Sequence, residues 1–338
     1  MFGEEETNAV SEVVRSGKWA GNSLIQSVEA HFSSVAGTKH AVAVGTGLGA
    51  LRLTLRALGI GPNDSVAVPG YSCVALANAV LAVGAKPIPI EIERETYNIC
   101  SKSLKKALLS TRPKIRAAIF VHMFGLSANI ELLNSAGIPL IEDCSHAFGR
   151  NGLGSQGTIS MMSLYATKLV GAGEGGMIFI KDNDMMKKVR DQLDYTDKGP
   201  CHYVLNDKPN CFSAAIADCQ LAKLPENLAR RDYLAKRYND ALSGVAKNGF
   251  CRLPKNIPGR IWYRYTLEIA GDIEMVISKM KSHGVTVVKP VKPWCDSLGN
   301  SCREAFARTI SLPIYPALTD ELQGKVIKAL FKIIRGKK

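Results

Sequence analysis

Apolar residues along the first 180 positions follow two alternating patterns. Short apolar runs predict buried strands, and between them the apolar positions recur every three or four residues, which predicts amphipathic helices. The predicted strands are 41–44, 66–68, 87–92, 117–121, 140–142, 159–167 and 177–180. This alternation of strands and helices predicts a doubly wound α/β fold with a mostly parallel sheet.

The C-terminal part of the chain has a different pattern. Residues 213–238 predict one long helix with Arg230, Arg231 and Arg237 on its exposed side. The signals that follow are strands at 263–269 and 285–288 and helices at 273–283 and 320–334. This order of elements predicts a small α+β unit after the large α/β unit.

The length and composition of the chain are compatible with two domains. With 338 residues and 46% hydrophobic content, the chain can build a sizeable core. We expect a large domain at 1–230 and a smaller α+β domain at 231–338, because the composition shifts near 225–240. No apolar run is long enough to span a membrane, and the acidic start lacks the apolar region of a signal peptide.

The cysteine pattern indicates the cellular compartment, and the net charge limits the classes of partner. Nine cysteines without CxxC spacing predict free thiols in the cytoplasm, and only six histidines argue against a metal site. The net charge of +13 is compatible with nucleic acid, an anionic membrane or an anionic small substrate. Because the basic residues are spread along the chain and no nucleic-acid-binding signature is present, we expect no nucleic-acid or membrane partner. An anionic substrate or a solubilising surface explains the charge.

Three segments at predicted strand ends carry candidate chemistry. Lys168 follows the strand 159–167 and precedes the glycine-rich segment 173–176. A lysine in a dry site becomes a nucleophile towards carbonyls, whereas one with its head group in water is an ordinary strand-end residue. Asp143 lies at the carboxyl edge where open α/β sheets bind ligands. The amides of segment 45–49 can hold a phosphate. Together they indicate a pyridoxal 5′-phosphate (PLP) site.

Short motifs are spread along the whole chain in a fixed order. They are Gly17-Lys18-Trp19 with Glu29, 58–62, Val68-Pro69, Ala77-Asn78, 84–87, Glu142-Asp143, 163–168, 173–176, 214–216, Gln220-Leu221 and Leu312-Pro313. In this order and spacing they resemble the DegT/StrS-type sugar aminotransferases, a branch of the fold-type I PLP-dependent transferases. The resemblance implies the fold-type I architecture, in which helices flank a mostly parallel sheet and a smaller C-terminal α+β domain follows.

The resemblance assigns catalytic roles to two residues. Lys168 matches the lysine that holds PLP covalently and moves a proton during the reaction. Relatives that dehydrate sugars carry histidine there, so Lys168 favours transamination. Asp143 matches the aspartate that keeps the pyridine nitrogen protonated, with a helix N-cap or a loop salt bridge as the structural alternative. Glu142 alternates to the other face of the strand and is interpreted as structural.

Further residues match cofactor contacts of the family. Thr46, Gly47 and Leu48 begin the phosphate-binding pattern, with Leu48 in place of the usual threonine. Ser163 matches a serine that contacts the phosphate. His146 stands where the family commonly has glutamine, near the PLP ring and its phenolic oxygen. A core histidine with satisfied hydrogen bonds is the alternative interpretation.

Two regions depart from the family pattern. Cys73 stands where relatives place an aromatic ring over PLP, and our hypothesis is that Tyr71 partly compensates. Asn206 and Lys208 match an Asn-x-Arg segment that in many relatives crosses a dimer interface to the partner's cofactor phosphate. We therefore expect a homodimer. Lys208 keeps the charge of arginine without its bidentate fork, and an exposed loop lysine is the alternative.

For function, the resemblance implies PLP-dependent transamination of a nucleotide-linked ketosugar, with glutamate as the amino donor. The aminosugar product would serve lipopolysaccharide or other polysaccharide biosynthesis. One alternative is a cyclitol or aminohydroxybenzoate-type aminotransferase of the same family. Another is a PLP-binding protein with a regulatory or structural role and little turnover, which the departures at Leu48 and Cys73 keep open.

Overall fold

The computed structural model describes residues 2–21, 23–150, 152–193 and 206–335. Within these ranges the helices are α1 (Glu4–Ser16), α2 (Ser23–Ala36), α3 (Gly47–Ala57), α4 (Val74–Ala82), α5 (Ser101–Ser110), α6 (Ile130–Asn134), α7 (Asn183–Leu193), α8 (Cys211–Ala222), α9 (Leu224–Lys247), α10 (Ile273–Ser282), α11 (Asn300–Arg308) and α12 (Asp320–Arg335). The strands are β1 (His40–Val44), β2 (Ser65–Pro69), β3 (Lys86–Ile90), β4 (Ile115–Val121), β5 (Leu140–Asp143), β6 (Ile159–Ser163), β7 (Gly176–Ile180), β8 (Cys251–Arg252), β9 (Tyr265–Ile269) and β10 (Thr309–Leu312). These helices include none with both the length and the apolarity that crossing a bilayer requires.

Seven strands form the central sheet in the order β1-β7-β6-β5-β4-β2-β3. Strands β3, β2, β4, β5 and β6 run parallel, whereas β7 is antiparallel to both of its neighbours. This confirms the expected α/β fold with a mostly parallel sheet. Because β1 and β6 both pair with β7, Val44 and Ser163 lie on either side of Gly176 at the carboxyl edge.

Helices cover both faces of this sheet, so its inner strands read as continuous apolar runs. Side chains of a strand point alternately to its two faces. In β1, Val42 and Val44 join the core under α3, α4 and α7, while Ala41 and Ala43 join the core under α2 and α8. Helices α5 and α6 extend the second layer.

The C-terminal part contains an antiparallel sheet in the order β10-β9-β8, with a separate hydrophobic core beneath α9, α10 and α12. Helix α9 runs through the expected boundary between residues 230 and 231, which stays a prediction. The strand expected at 285–288 is wrong except for one bridge from Val288 to Ser311. Helix α11 and strand β10 were not predicted.

The long helix predicted at 213–238 is wrong in one respect, because it is two helices. Lys223 ends α8 and precedes α9, and Pro225 follows at the start of α9. Proline has no N–H to donate and its ring clashes with a preceding turn, so a continuous helix is excluded there. The expected exposure of Arg231 is also wrong: only 7% of it is exposed, and it donates to backbone carbonyls just before β9 and just after β10.

Candidate active site

The candidate nucleophile lies in a turn rather than on a strand. Strand β6 ends at Ser163, so the predicted strand 159–167 is too long, and Lys168 follows in a turn closed by its N–H on the Tyr165 carbonyl (2.8 Å). The turn reverses through Gly173 (φ 82°) and Gly175 (φ 140°), values that disfavour other residues. The side chain of Lys168 is half-buried at the carboxyl edge of the sheet.

The start of α3 and the end of β6 meet in a small cradle. Thr46 is the N-cap of α3, and its hydroxyl accepts the N–H of Gly49 (2.9 Å). The N–H groups of Gly47 and Leu48 have no acceptor among the described residues. A Cβ on Gly47 would lie 2.6 Å from the Ser163 Cβ, so only glycine permits this approach. The structure therefore brings these predicted phosphate contacts together.

Asp143 ends β5 at the same edge and is 7% exposed. Its Oδ1 accepts the Ser145 N–H at 2.9 Å. Its Oδ2 has no donor, and no lysine or arginine pairs with it, within the described ranges. No helix begins at Asp143, so neither structural alternative, the N-cap or the salt bridge, applies. The carboxylate retains capacity for one further strong hydrogen bond.

Glu142 projects to the opposite face, fully buried, and has five donors. They are His122 Nε2 (2.9 Å), Gly154 N (2.7 Å), Gln156 N (2.7 Å), Gly157 N (3.1 Å) and Ser160 Oγ (2.6 Å). His122 Nδ1 accepts the Ala128 N–H, so Nε2 carries the donated proton. Burial raises the pKa of Glu142, but the donors, led by His122, outweigh it and lower that pKa. Glu142 is structural, as interpreted.

His146 stacks on two aromatic rings. The centroid of its ring lies 4.2 Å from that of Tyr263 and 6.2 Å from that of Phe124, with both pairs nearly parallel. Its Nδ1 is buried without a partner among the described residues. Burial, followed by the charges of Lys168 and Arg264, holds the pKa of His146 well below its usual value, so the imidazole is neutral. A satisfied core histidine does not describe it.

Tyr263 was missed as a site residue by the sequence analysis. Its ring centroid lies 5.4 Å from Lys168 Nζ, and it is stacked on His146. It lies two residues before β9, which begins at Tyr265. The sequence does show aromatic residues at the start of the strand predicted from residue 263. Core strands have the same pattern, so it did not identify Tyr263 as a site residue.

Tyr71 and Cys73 lie in different surroundings. Tyr71 is 1% exposed, with its ring centroid 4.6 Å from that of Phe306, 5.5 Å from that of Tyr97 and 6.2 Å from that of Phe124. Cys73 is exposed and directly precedes α4. The hypothesis that Tyr71 compensates for the missing aromatic residue stays a prediction.

The segment containing Asn206 and Lys208 lies beside the phosphate cradle of its own chain. The Gly45 N–H donates to the Asp207 carbonyl at 2.7 Å. The Asp207 carboxylate accepts a hydrogen bond from Arg52 at 2.6 Å. Asp207, which the sequence analysis did not single out, is therefore the residue that anchors this segment to α3.

Lys168 also borders a cavity of about 910 Å³. Its wall includes Tyr263, Arg264 and the buried Arg231, and it extends to Ile314 after β10. A space of this volume accommodates a small-molecule substrate. The lysine thus faces the ring of Tyr263 and this cavity.

Comparisons with known proteins agree with this arrangement. The model of the DegT/DnrJ/EryC1/StrS aminotransferase family matches residues 1–331. The chain belongs to this family. It is a PLP-dependent aminotransferase of fold type I, which confirms the expected family, enzyme class and cofactor.

Relatives of this aminotransferase cover almost its whole length. The spore coat polysaccharide biosynthesis protein SpsC of Bacillus subtilis (strain 168) is 28% identical over 99% of this chain and 96% of SpsC. The crystal structure of a DegT DnrJ EryC1 StrS aminotransferase from Brucella abortus has a TM-score of 0.88, with 27% identity over 99% of this chain and 95% of that one. NtdA from Bacillus subtilis, crystallised with the cofactor PMP, has a TM-score of 0.91 with 25% identity over 98% and 82% of the two chains.

The residues of this aminotransferase fit PLP. Two N–H groups at the start of α3 that have no acceptor in the described part of the chain, together with the adjacent Ser163, suit a phosphate. The unpartnered Oδ2 of Asp143 suits a protonated ring nitrogen, and the orphaned Nδ1 of His146 suits a phenolic oxygen. The unusual Leu48 leaves the backbone donors in place, so its missing hydroxyl does not remove the cradle.

Proposed function

We propose that this aminotransferase converts a nucleotide-linked ketosugar to an aminosugar in the cytoplasm, with glutamate as the amino donor. The observation that carries the proposal is the position of Lys168, between the cavity and a sheet edge that holds the Asp143 carboxylate. The likeness to a polysaccharide biosynthesis protein supports a sugar acceptor. The net charge of +13 supports an anionic one.

In this proposal each residue of the site has one task. When bound, PLP supplies an electron sink that stabilises negative charge on the reacting substrate carbon. Lys168 would hold the cofactor, and its Nζ would carry the proton to and from that carbon. Asp143 would keep the ring nitrogen protonated. Backbone N–H groups of Gly47 and Leu48, with Ser163, would bind the phosphate, while the neutral His146 would hydrogen-bond the phenolic oxygen.

The half-reaction with glutamate tests whether the protein turns over. The purified holoenzyme should lose its visible absorption on adding glutamate and release one equivalent of 2-oxoglutarate. Lys168→Ala should release none, whereas Lys187→Ala, which removes an exposed lysine of α7, should behave as the wild type. A wild type that binds PLP but deaminates no amino acid would favour the regulatory or structural alternative.

A panel of acceptors tests the substrate class. The pyridoxamine form should regain visible absorption with a nucleotide-linked ketosugar. Free ketosugars and keto-cyclitols serve as comparison compounds. A faster return with a keto-cyclitol, or with a precursor of an aminohydroxybenzoate, would contradict the sugar-nucleotide proposal and support the corresponding alternative branch of the family.

We propose that the enzyme is a homodimer in which Asn206 and Lys208 reach the partner's cofactor phosphate, because they match a segment that does so in many relatives. The alternative is that they serve the cradle of their own chain, beside which Asp207 anchors the segment. Hybrid dimers of Lys168→Ala and Lys208→Ala subunits show whether Lys208 serves the partner's site or the site of its own chain. If Lys208 serves the partner, one site of each hybrid is intact and activity returns. If Lys208 serves its own chain, activity stays at or below that of Lys208→Ala. A monomer with full activity in sedimentation would contradict the dimer.

A further inference from the structure

The charged side chains in the described wall of the cavity beside Lys168 are all basic. The wall carries Lys168, Arg231 and Arg264, whereas no aspartate or glutamate belongs to the part of the wall that the structure describes. Lys325, farther along α12, pairs with Glu321 outside the wall. Positive groups in a concave, partly dry space attract anions more strongly than the same groups on an open surface.

Arg231 places a buried positive charge in this wall. Its Nη1 donates to the carbonyl oxygens of Trp262 (3.2 Å), Tyr263 (3.1 Å) and Ile314 (2.9 Å). None of the described carboxylates pairs with it. Burial, followed by the charge of Arg264, lowers the pKa of Arg231 to about 10. A buried guanidinium without a counter-ion favours a bound anion.

Arg264 is the more accessible of the two arginines. It is half-buried, and its guanidinium carbon lies 5.5 Å from the centroid of the Tyr263 ring. No described carboxylate or carbonyl accepts a hydrogen bond from it. Arg264 and Lys168 both line the cavity, and the charges of both lower the pKa of His146. The distance of 5.5 Å between the Arg264 guanidinium and the Tyr263 ring lies within the range of a cation–π contact.

We propose that Arg264, with the positive charge of Arg231 in the same wall, binds an anionic oxygen group of the substrate inside this cavity. A planar guanidinium offers two parallel N–H groups that match a carboxylate or a phosphate. The carboxylate of an amino donor and the phosphate of a nucleotide-linked acceptor share this chemistry. The inference rests on the proposed function for the choice of substrate, but binding can be measured without turnover.

Two unreactive anions test the site. Glutarate resembles the donor without its amine, and pyrophosphate resembles the diphosphate of an acceptor. Each is titrated into the holoenzyme by isothermal calorimetry. Arg264→Gln should raise the Kd for at least one of them about ten- to a hundredfold, since a charge-assisted hydrogen-bond pair is lost. Arg264→Lys should raise that Kd less, because the charge remains.

The matched control is Arg116→Gln, which removes the same charge from an exposed side chain on β4, away from the cavity. It should leave both Kd values unchanged. Unchanged visible absorption and melting temperature would show that Arg264→Gln keeps its fold and cofactor. If Arg264→Gln weakens only glutarate binding, the site binds the donor carboxylate. If it weakens only pyrophosphate binding, the site binds the acceptor phosphate. If it weakens both, the site binds the donor carboxylate in one half-reaction and the acceptor phosphate in the other.

The proposal is overturned if the wild type binds neither anion, or if Arg264→Gln binds both as tightly as the wild type. Either result can occur while the glutamate half-reaction proceeds normally, in which case the proposed function stands without this site. Conversely, anion binding that depends on Arg264 in a protein that deaminates no amino acid would support the site and contradict the proposed function.

Discussion

Glu142 and Asp143 are neighbours in the sequence and have opposite surroundings. Glu142 accepts hydrogen bonds from five donors, one of which is His122. Asp143 accepts one, from Ser145, and keeps its second oxygen without a described donor. A carboxylate that is fully bonded within the protein can only stabilise the fold, whereas one with unused acceptor capacity can still bind a ligand.

Two groups of arginines also differ in whether they have partners within the protein. In a cleft of about 420 Å³ beside β8, Arg252 donates to Glu268, and Arg94 lies 4.0 Å from the same carboxylate. In the cavity beside Lys168, Arg231 and Arg264 have no such partner among the described residues. Both regions contain arginines, and they differ in whether those arginines have a carboxylate partner. The arginines of the candidate binding site have none among the described residues, whereas those beside β8 do.

In the comparison of Glu142 with Asp143, the largest effect on turnover is expected from Asp143. Asp143→Ala should reduce kcat on the order of 10²–10³-fold, because a preorganised charge at the reacting centre is removed. PLP binding should weaken less than turnover, and stability should change little because only one hydrogen bond is lost. Single-turnover kinetics and a PLP titration measure the two effects. Unchanged turnover would remove the proposed electronic role.

The opposite result is expected from Glu142. Glu142→Gln should destabilise the protein by about 3 kcal/mol, since the new amide group faces N–H donors that lose their acceptor. Urea denaturation measures this loss, with Glu12→Gln, an exposed carboxylate on α1, as the control. A variant as stable as the control but deficient in turnover would mean that Glu142, not Asp143, serves the chemistry.

Acid pH should reveal a further well-bonded carboxylate with a smaller effect. Burial raises the pKa of Glu6, but hydrogen bonds from Lys223, Gly3 and Gln220 lower it from 4.5 to about 2. A folded-state pKa below the unfolded one means that the unfolded chain binds protons first, so stability is lost as pH falls from about 4.5 towards 2. Glu6→Gln should flatten this decline in denaturation measured at successive pH values. An equally steep decline would contradict the assignment.

The smallest effect concerns the ring over PLP. Tyr71→Leu should weaken PLP binding more than Cys73→Ala, by about two- to tenfold, because aromatic stacking contributes about 0.5–1.5 kcal/mol beyond area burial. Because Tyr71 packs in an aromatic cluster, thermal melting of both apoproteins is the necessary control. Equal affinities, or a greater loss from Cys73→Ala, would rule out Tyr71 as the substitute.

Local patterns predicted much of the fold. The apolar runs identified each of the seven strands of the central sheet, because strands covered on both faces leave continuous apolar sequence. The position of Asp143 at a strand end and the glycine-rich start of α3 also followed from local sequence. These features depend on neighbours within a few residues, which is the range over which a single sequence is informative.

The surroundings of Arg231, Tyr263 and Arg264 could not be predicted in this way. Arg231 was assigned to an exposed helix face, yet its partners are carbonyls that lie 31 to 83 residues later. Tyr263 contacts His146 and Lys168 from another element. Such contacts arise when the C-terminal sheet packs on the carboxyl edge, and no periodicity within one segment records them.

Chemical mapping of the cofactor tests the central claim most directly. The holoenzyme is reduced with borohydride, digested with trypsin and analysed by mass spectrometry. The account predicts that the cofactor mass is found on Lys168, in a peptide spanning 151–181 because cleavage after the modified lysine is blocked, and that Lys168→Ala carries none. Full labelling of another lysine, or unchanged labelling of Lys168→Ala, would contradict it.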